Sequence, residues 1–162
     1  MKVMRLAWVL TLALMIMPPT TVAQTLEQLW QQGETAQSQK KYPEAERIWR
    51  QIIQLDPNSA VAFSNLCAAL FRQNKLDEAL IFCQKALALD PKLPETYNNL
   101  GNVLYNQKKL TEAEEMYRRA LALDDQFVGA YNNLGNVLRD QKKLKEAEEM
   151  LDLNDRLSPV IM

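Results

Sequence analysis

The sequence predicts an all-α protein, a solenoid of four helix-turn-helix units of 34 residues each. Three observations carry that prediction. The stretch from Tyr97 to Met116 (YNNLGNVLYNQKKLTEAEEM) returns at Tyr131 to Met150, 34 residues on, with 17 of 20 positions identical. The same offset aligns Gly33, Cys67, Gly101 and Gly135 in one column, and Ala45, Ala79, Ala113 and Ala147 in another. Within each unit the apolar residues follow a helical period twice, on either side of a short polar stretch.

The first 23 residues are of a different character. Lys2 and Arg5 precede an apolar run from Leu6 to Met17, Pro18-Pro19 interrupts it, and Thr21-Val22-Ala23 offers small residues. A basic segment, a short apolar segment and small residues in that order are the layout of a secretory signal. The run is short of the roughly 20 residues that span a bilayer. Residues 1–23 are therefore expected to be a signal peptide and 24–162 the repeat array. Export to a periplasm, an equivalent lumen or the exterior follows, with an uncleaved N-terminal anchor as the alternative. Cleavage leaves no segment for stable membrane insertion.

The units are expected at 26–59, 60–93, 94–127 and 128–161. In the third, Tyr97, Leu100, Gly101 and Leu104 form one helical face, and Leu110, Ala113, Tyr117, Ala120 and Leu121 a second. Asn106-Gln107-Lys108-Lys109 between them is long enough only for a turn. Gly101 and Ala113 are read as small residues that let two helix backbones approach. Leu55-Asp56-Pro57 and Leu89-Asp90-Pro91 end second helices, because proline cannot continue one. The aspartates are read as caps for the helix that follows. Lysine pairs at the turns, followed by acids, suit the ends of consecutive helix dipoles. Interleaved acids argue against a basic edge facing anionic lipid.

These residues resemble the tetratricopeptide repeat, whose pattern is W-x₂-L-G-x₂-Y, A-x₃-F and P over 34 residues. Tyr97-x₂-Leu100-Gly101-x₂-Leu104, Ala113-x₃-Tyr117 and Pro91 carry the resemblance, as do Tyr131-x₂-Leu134-Gly135-x₂-Leu138 and Trp49 after Ala45. Trp30 and Gln32 in the first unit and Asn154 in the last depart from it. The resemblance implies a right-handed superhelix with a concave groove lined by the first helix of each unit, and a non-catalytic scaffold holding a peptide or protein partner. Groove positions carried over by helical spacing are Trp30, Glu34 and Gln37, then Ser64, Ala68, Phe71 and Arg72. In the third unit they are Asn98, Asn99, Asn102 and Tyr105, and in the fourth Asn132, Asn133, Asn136 and Arg139.

Asparagine is a poor helix former, so six of them inside two first helices ask for a reason. An amide donates and accepts, and a row of amides can pair with an extended peptide backbone. The alternative is that some amides satisfy neighbouring loops or water. Chaperone-binding members of the family hold a C-terminal carboxylate with two lysines, two asparagines and an arginine. Those positions here hold Ser64, Ala68, Asn99, Gly129 and Asn133, or Trp30, Glu34, Asn65, Glu95 and Asn99. No such clamp is expected.

Composition narrows the remaining classes. Lysine and arginine total 19 against 20 acids, for a net charge of −1, which does not suit a nucleic-acid partner. There is no histidine, and four glycines are too few for phosphate-cradling loops. No catalytic residue, metal site or cofactor is expected, so an enzyme is the disfavoured class. Cys67 and Cys83 fall on the two helices of one unit, as small core residues or as a disulfide in an oxidising compartment. Leu153, Leu157, Val160 and Ile161 give the last helix an apolar side without a capping helix, which suggests self-association there. The second functional reading is an assembly or biogenesis factor for an envelope or membrane complex, acting through the ends and convex face.

Overall fold

The computed structural model describes residues 19–158, with side chains from Leu26 onward. The apolar run of the expected signal peptide, together with Val160 and Ile161, lies outside the described residues. Helices alternate in pairs: α1 (Pro19–Ser38) with α2 (Tyr42–Leu55), α3 (Ala60–Arg72) with α4 (Leu76–Leu89), α5 (Pro94–Asn106) with α6 (Leu110–Leu123), and α7 (Val128–Asp140) with α8 (Leu144–Leu157). The described residues contain no strand. Second helices start at 42, 76, 110 and 144, so the 34-residue period of the sequence is the period of the fold. α1 begins at Pro19, ahead of the expected array start, because nothing between Thr20 and Leu26 breaks a helix and proline is tolerated in a first turn. Among the described residues no helix is long and apolar enough to cross a membrane.

Each hairpin packs on the next, and one core runs through the stack from Ala36 to Ala147. The glycine column explains how a hairpin closes. A β-carbon on Gly33 would stand 2.8 Å from the Trp49 ring, and one on Gly101 2.6 Å from the Tyr117 ring. On Gly135 it would meet Leu151 at 2.9 Å. The glycine thus makes room for a large side chain of the second helix, and not for backbone contact as the sequence suggests. In the second hairpin the same place is filled covalently. Cys67 and Cys83 are joined as a disulfide with their α-carbons 5.3 Å apart, inside the range such a bond allows. Trp30, read as a groove residue, instead packs edge-on against Trp49 with ring centroids 5.0 Å apart, so it belongs to the core of the first hairpin.

The loops also correct the sequence reading. Asp56, Asp90 and Asp124 do not cap the following helix. Each accepts from the backbone N–H two residues on, at 3.2, 2.8 and 3.0 Å, and so closes the turn that ends its own helix. The cap of α3 is Ser59, whose hydroxyl accepts from the Ala62 N–H. Each first helix ends in a left-handed residue: Lys40, Asn74, Lys108 and Lys142, with φ of 59°, 60°, 64° and 63°. Three of these four positions carry lysine where glycine has no steric cost. Lys142→Gly is therefore expected to stabilise the protein by about 0.5–1 kcal/mol, since roughly 1–2 kcal/mol of left-handed strain is relieved and part is returned as chain entropy. A lower urea midpoint for this variant would contradict the argument.

The lysine after the left-handed residue does a different job in the second and fourth hairpins. Lys75 donates to Glu46 at 2.7 Å and Lys143 to Glu114 at 2.8 Å, each reaching back to the preceding hairpin. Arg50 bridges Glu46 and Glu78, and Arg118 bridges Glu114 and Glu146. The equivalent residues between the second and third hairpins are Leu80 and Gln84, which cannot make this clasp. Burial would raise the carboxyl pKa of Glu46 and Glu114. The hydrogen bonds from Lys75, Gln73 and Arg50, and from Lys143 and Arg118, outweigh it and hold both below the ordinary 4.5. A carboxylate depressed in the folded state stabilises it fully above its unfolded pKa and loses that contribution as pH falls through its folded one. Stability should thus be flat above about pH 5 and fall below 4.5. In the variant Glu46→Gln/Glu114→Gln the acid-side fall should be shallower, as read from urea midpoints against pH.

Candidate functional site

The first helices touch one another along the array, α3 against α5 and α5 against α7, while second helices make no comparable contacts. Helices crowded on one side and spread on the other curve the stack, with the first helices on the concave face. Asn98, Asn99, Asn102 and Tyr105 lie on α5, and Asn132, Asn133, Asn136 and Arg139 on α7. The sequence-derived site residues thus fall on two neighbouring first helices, and they differ in what they already touch.

Much of the asparagine row bonds to itself. The Asn133 amide donates to Asn98 Oδ1 at 2.9 Å and to Asn102 Oδ1 at 3.1 Å, tying α7 to α5. Asn102 Oδ1 also accepts from the Tyr117 hydroxyl at 2.8 Å. Burial pushes the Tyr117 phenol far above its usual range, so it stays protonated as a donor. The Tyr105 hydroxyl donates to Asp140 Oδ2 at 2.6 Å, and that bond, with burial, raises its pKa. Arg139 donates to Asn136 Oδ1. Asn132 is exposed. Ser64, expected in the groove, is 4% exposed and takes the Thr96 hydroxyl at 2.8 Å and the Asn99 amide at 3.4 Å. It binds α3 to α5 and is not open to a ligand. Tyr117→Phe, which removes the donor to Asn102, is expected to cost about 1 kcal/mol by urea unfolding.

An open recess of about 190 Å³ lies further toward the N-terminus. Gln37 of α1, Ala68, Phe71 and Arg72 of α3, and Asn99 and Asn102 of α5 line it, so three hairpins contribute. All six are groove positions in the sequence reading. The seventh lining residue, Tyr42, is not. Its signal is that Leu76, Leu110 and Leu144 occupy the same column, which makes the tyrosine an exception. Gln37 Oε1 accepts from the Trp49 indole N–H at 3.1 Å, which fixes the amide. Arg72 lies with its guanidinium carbon 5.7 Å from the centre of the Phe71 ring. Among the described residues no cluster of three acidic or sulfur ligands could hold a metal.

Sequence profiles of the tetratricopeptide repeat match residues 29–59, 58–126 and 98–158, which together take in every helical pair. The chain belongs to the tetratricopeptide-repeat (TPR) family. The TPR solenoid is also the fold of its structural relatives. One is PilF of Pseudomonas aeruginosa, at 26% identity and a TM-score of 0.76, covering 85% of this chain and 63% of that one. Another is the first TPR of Spaghetti (RPAP3), solved bound to the HSP90 peptide SRMEEVD, at 28% identity and a TM-score of 0.68, covering 74% and 94%. MamA of Desulfovibrio magneticus RS-1 matches at 23% identity and 0.70, covering 82% and 75%. No curated protein sequence matches the chain. TPR arrays are scaffolds for protein–protein contact, and their superhelix supplies an extended concave surface for it.

Proposed function

We propose that this TPR protein is an exported, non-catalytic scaffold that holds an extended peptide segment of a protein partner on its concave face. The observation that carries the reading is the recess shared by α1, α3 and α5, where polar and aromatic side chains from three hairpins meet on one continuous surface. The peptide seen on the Spaghetti relative supports a peptide as occupant. Export is supported by the N-terminal sequence and by the Cys67–Cys83 bond, which suits an oxidising compartment. Asn98, Asn99 and Asn132 extend the binding surface along the array, Asn102 lines the recess with its oxygen held by Tyr117 and Asn133, and Asn133 shapes the surface from behind.

The second reading, an assembly factor acting through the convex face, has one observation in its favour. Leu80 of α4, Leu100 and Leu104 of α5 and Met116 of α6 line an open cleft, and Ile81, next to Leu80 in the chain, is 60% exposed. A photo-crosslinking residue separates the two. Placed at Ala68 in the exported protein it should capture the partner, and placed at Ile81 it should not. Capture from Ile81 alone would replace the first reading by the second.

A further inference from the structure

We infer that the recess between α1, α3 and α5 is a carboxylate-accepting site, and that the peptide it holds presents an aspartate or glutamate side chain to Arg72. The inference rests on the peptide-binding reading and adds the chemistry of the ligand.

The amides of the recess have a fixed sense. An indole N–H can only donate, so the bond from Trp49 commits Gln37 Oε1 and turns the amide NH₂ away from the ring. Asn102 Oδ1 is taken twice, by the Tyr117 hydroxyl and by Asn133. Its NH₂ is the group left over. The Asn102 oxygen thus has both lone pairs taken inside the protein and the Gln37 oxygen one, and the N–H donors of both amides remain. Tyr42 adds a hydroxyl, and Arg72 adds five N–H donors and a positive charge.

Arg72 is also the exception among its kind. Arg47, Arg50, Arg118, Arg119, Arg139 and Arg156 each have a carboxylate or amide partner. Arg72, alone among the arginines of the described residues, has none. It rests on the Phe71 ring, an arrangement that limits its rotamers without using its donors. No aspartate or glutamate lines the recess. Asn99, the third amide, spends an N–H on Ser64 and leaves its oxygen uncommitted, one acceptor among these donors. A site dominated by donors, with a free guanidinium and no internal counter-charge, is complementary to a carboxylate. Ala68 and Asn99 of the recess stand at positions of the chaperone-binding clamp, but neither carries charge; Arg72, which does, is not one of those five positions.

A carboxylate can come from a side chain or from a C-terminus, and selection of random short peptides on the full chain tells them apart. One library embeds the peptides within a carrier loop, and a second leaves their C-termini free. The embedded library should yield binders with an acid fixed at one position. For a selected peptide, Arg72→Glu should weaken binding about 10-fold or more, while Arg156→Glu, on the exposed side of α8, leaves it within about twofold. Selection on Arg72→Glu should favour lysine or arginine at the acid's position. Embedded binders without acid preference would overturn this inference and leave the peptide-binding reading intact. Binders from the free-terminus library alone would assign the site to a C-terminal carboxylate and overturn the side-chain assignment. No binder from either library would remove the peptide-binding reading and this inference with it.

Discussion

Trp49→Ala should be the most damaging single change in the array, lowering stability by about 3–5 kcal/mol. The ring is fully buried, fills the space over Gly33, packs against Trp30 and holds Gln37 by its indole N–H. Its removal leaves a large void and an amide oxygen without its donor. Small domains have a total stability of about 5–15 kcal/mol, so the variant should show a partly unfolded population at ambient temperature. Urea unfolding followed by far-ultraviolet circular dichroism measures the loss. A drop below about 1 kcal/mol would mean the ring does not close the first hairpin as described. Trp49→Phe should recover much of the loss but not the bond to Gln37, so its residual deficit separates packing from hydrogen bonding.

The Cys67–Cys83 bond should contribute about 3 kcal/mol, the chain-entropy value for a loop of about 15 residues; the two cysteines are 16 apart in sequence. Both are fully buried, so reductant alone should act slowly on the folded protein and quickly once urea opens it. Protein recovered from an exported fraction should resist alkylation, and full reduction should lower its urea midpoint. Two alkylated thiols in that material, with a midpoint indifferent to reductant, would show that the pairing does not form in solution. The double variant Cys67→Ser/Cys83→Ser should match the reduced protein or fall below it, because each serine buries a hydroxyl.

The repeat was legible because its signals are one-dimensional. Period, apolar spacing and punctuation by Leu-Asp-Pro are set by each helix alone, and the helices obey them. The groove was legible as a face for the same reason, since residues three and four apart share a side of a helix. What a groove residue does was not. Asn98 and Asn102 pair with Asn133 one repeat away, at sequence distances of 35 and 31. No local pattern separates an amide that bonds a neighbour from one left for a ligand. Ser64 shows the same limit, because its burial depends on Thr96 of the next hairpin. The emphasis on α5 and α7 followed the density of asparagines. The open recess lies nearer α1 and α3, where the residues are of mixed kinds and make no conspicuous run.

The side chain seated over the small residue of each hairpin has a further consequence. It is an indole in the first, a sulfur bridge in the second, a phenol in the third and an isobutyl group in the fourth. Near-duplicate neighbours invite a helix to close on the wrong mate while the chain is folding. If α5 closed on α8, Leu151 would be too small for the slot that Tyr117 fills, and Asn102 would lose its donor. These four unlike plugs therefore work as addresses: they let almost interchangeable units recognise their own halves.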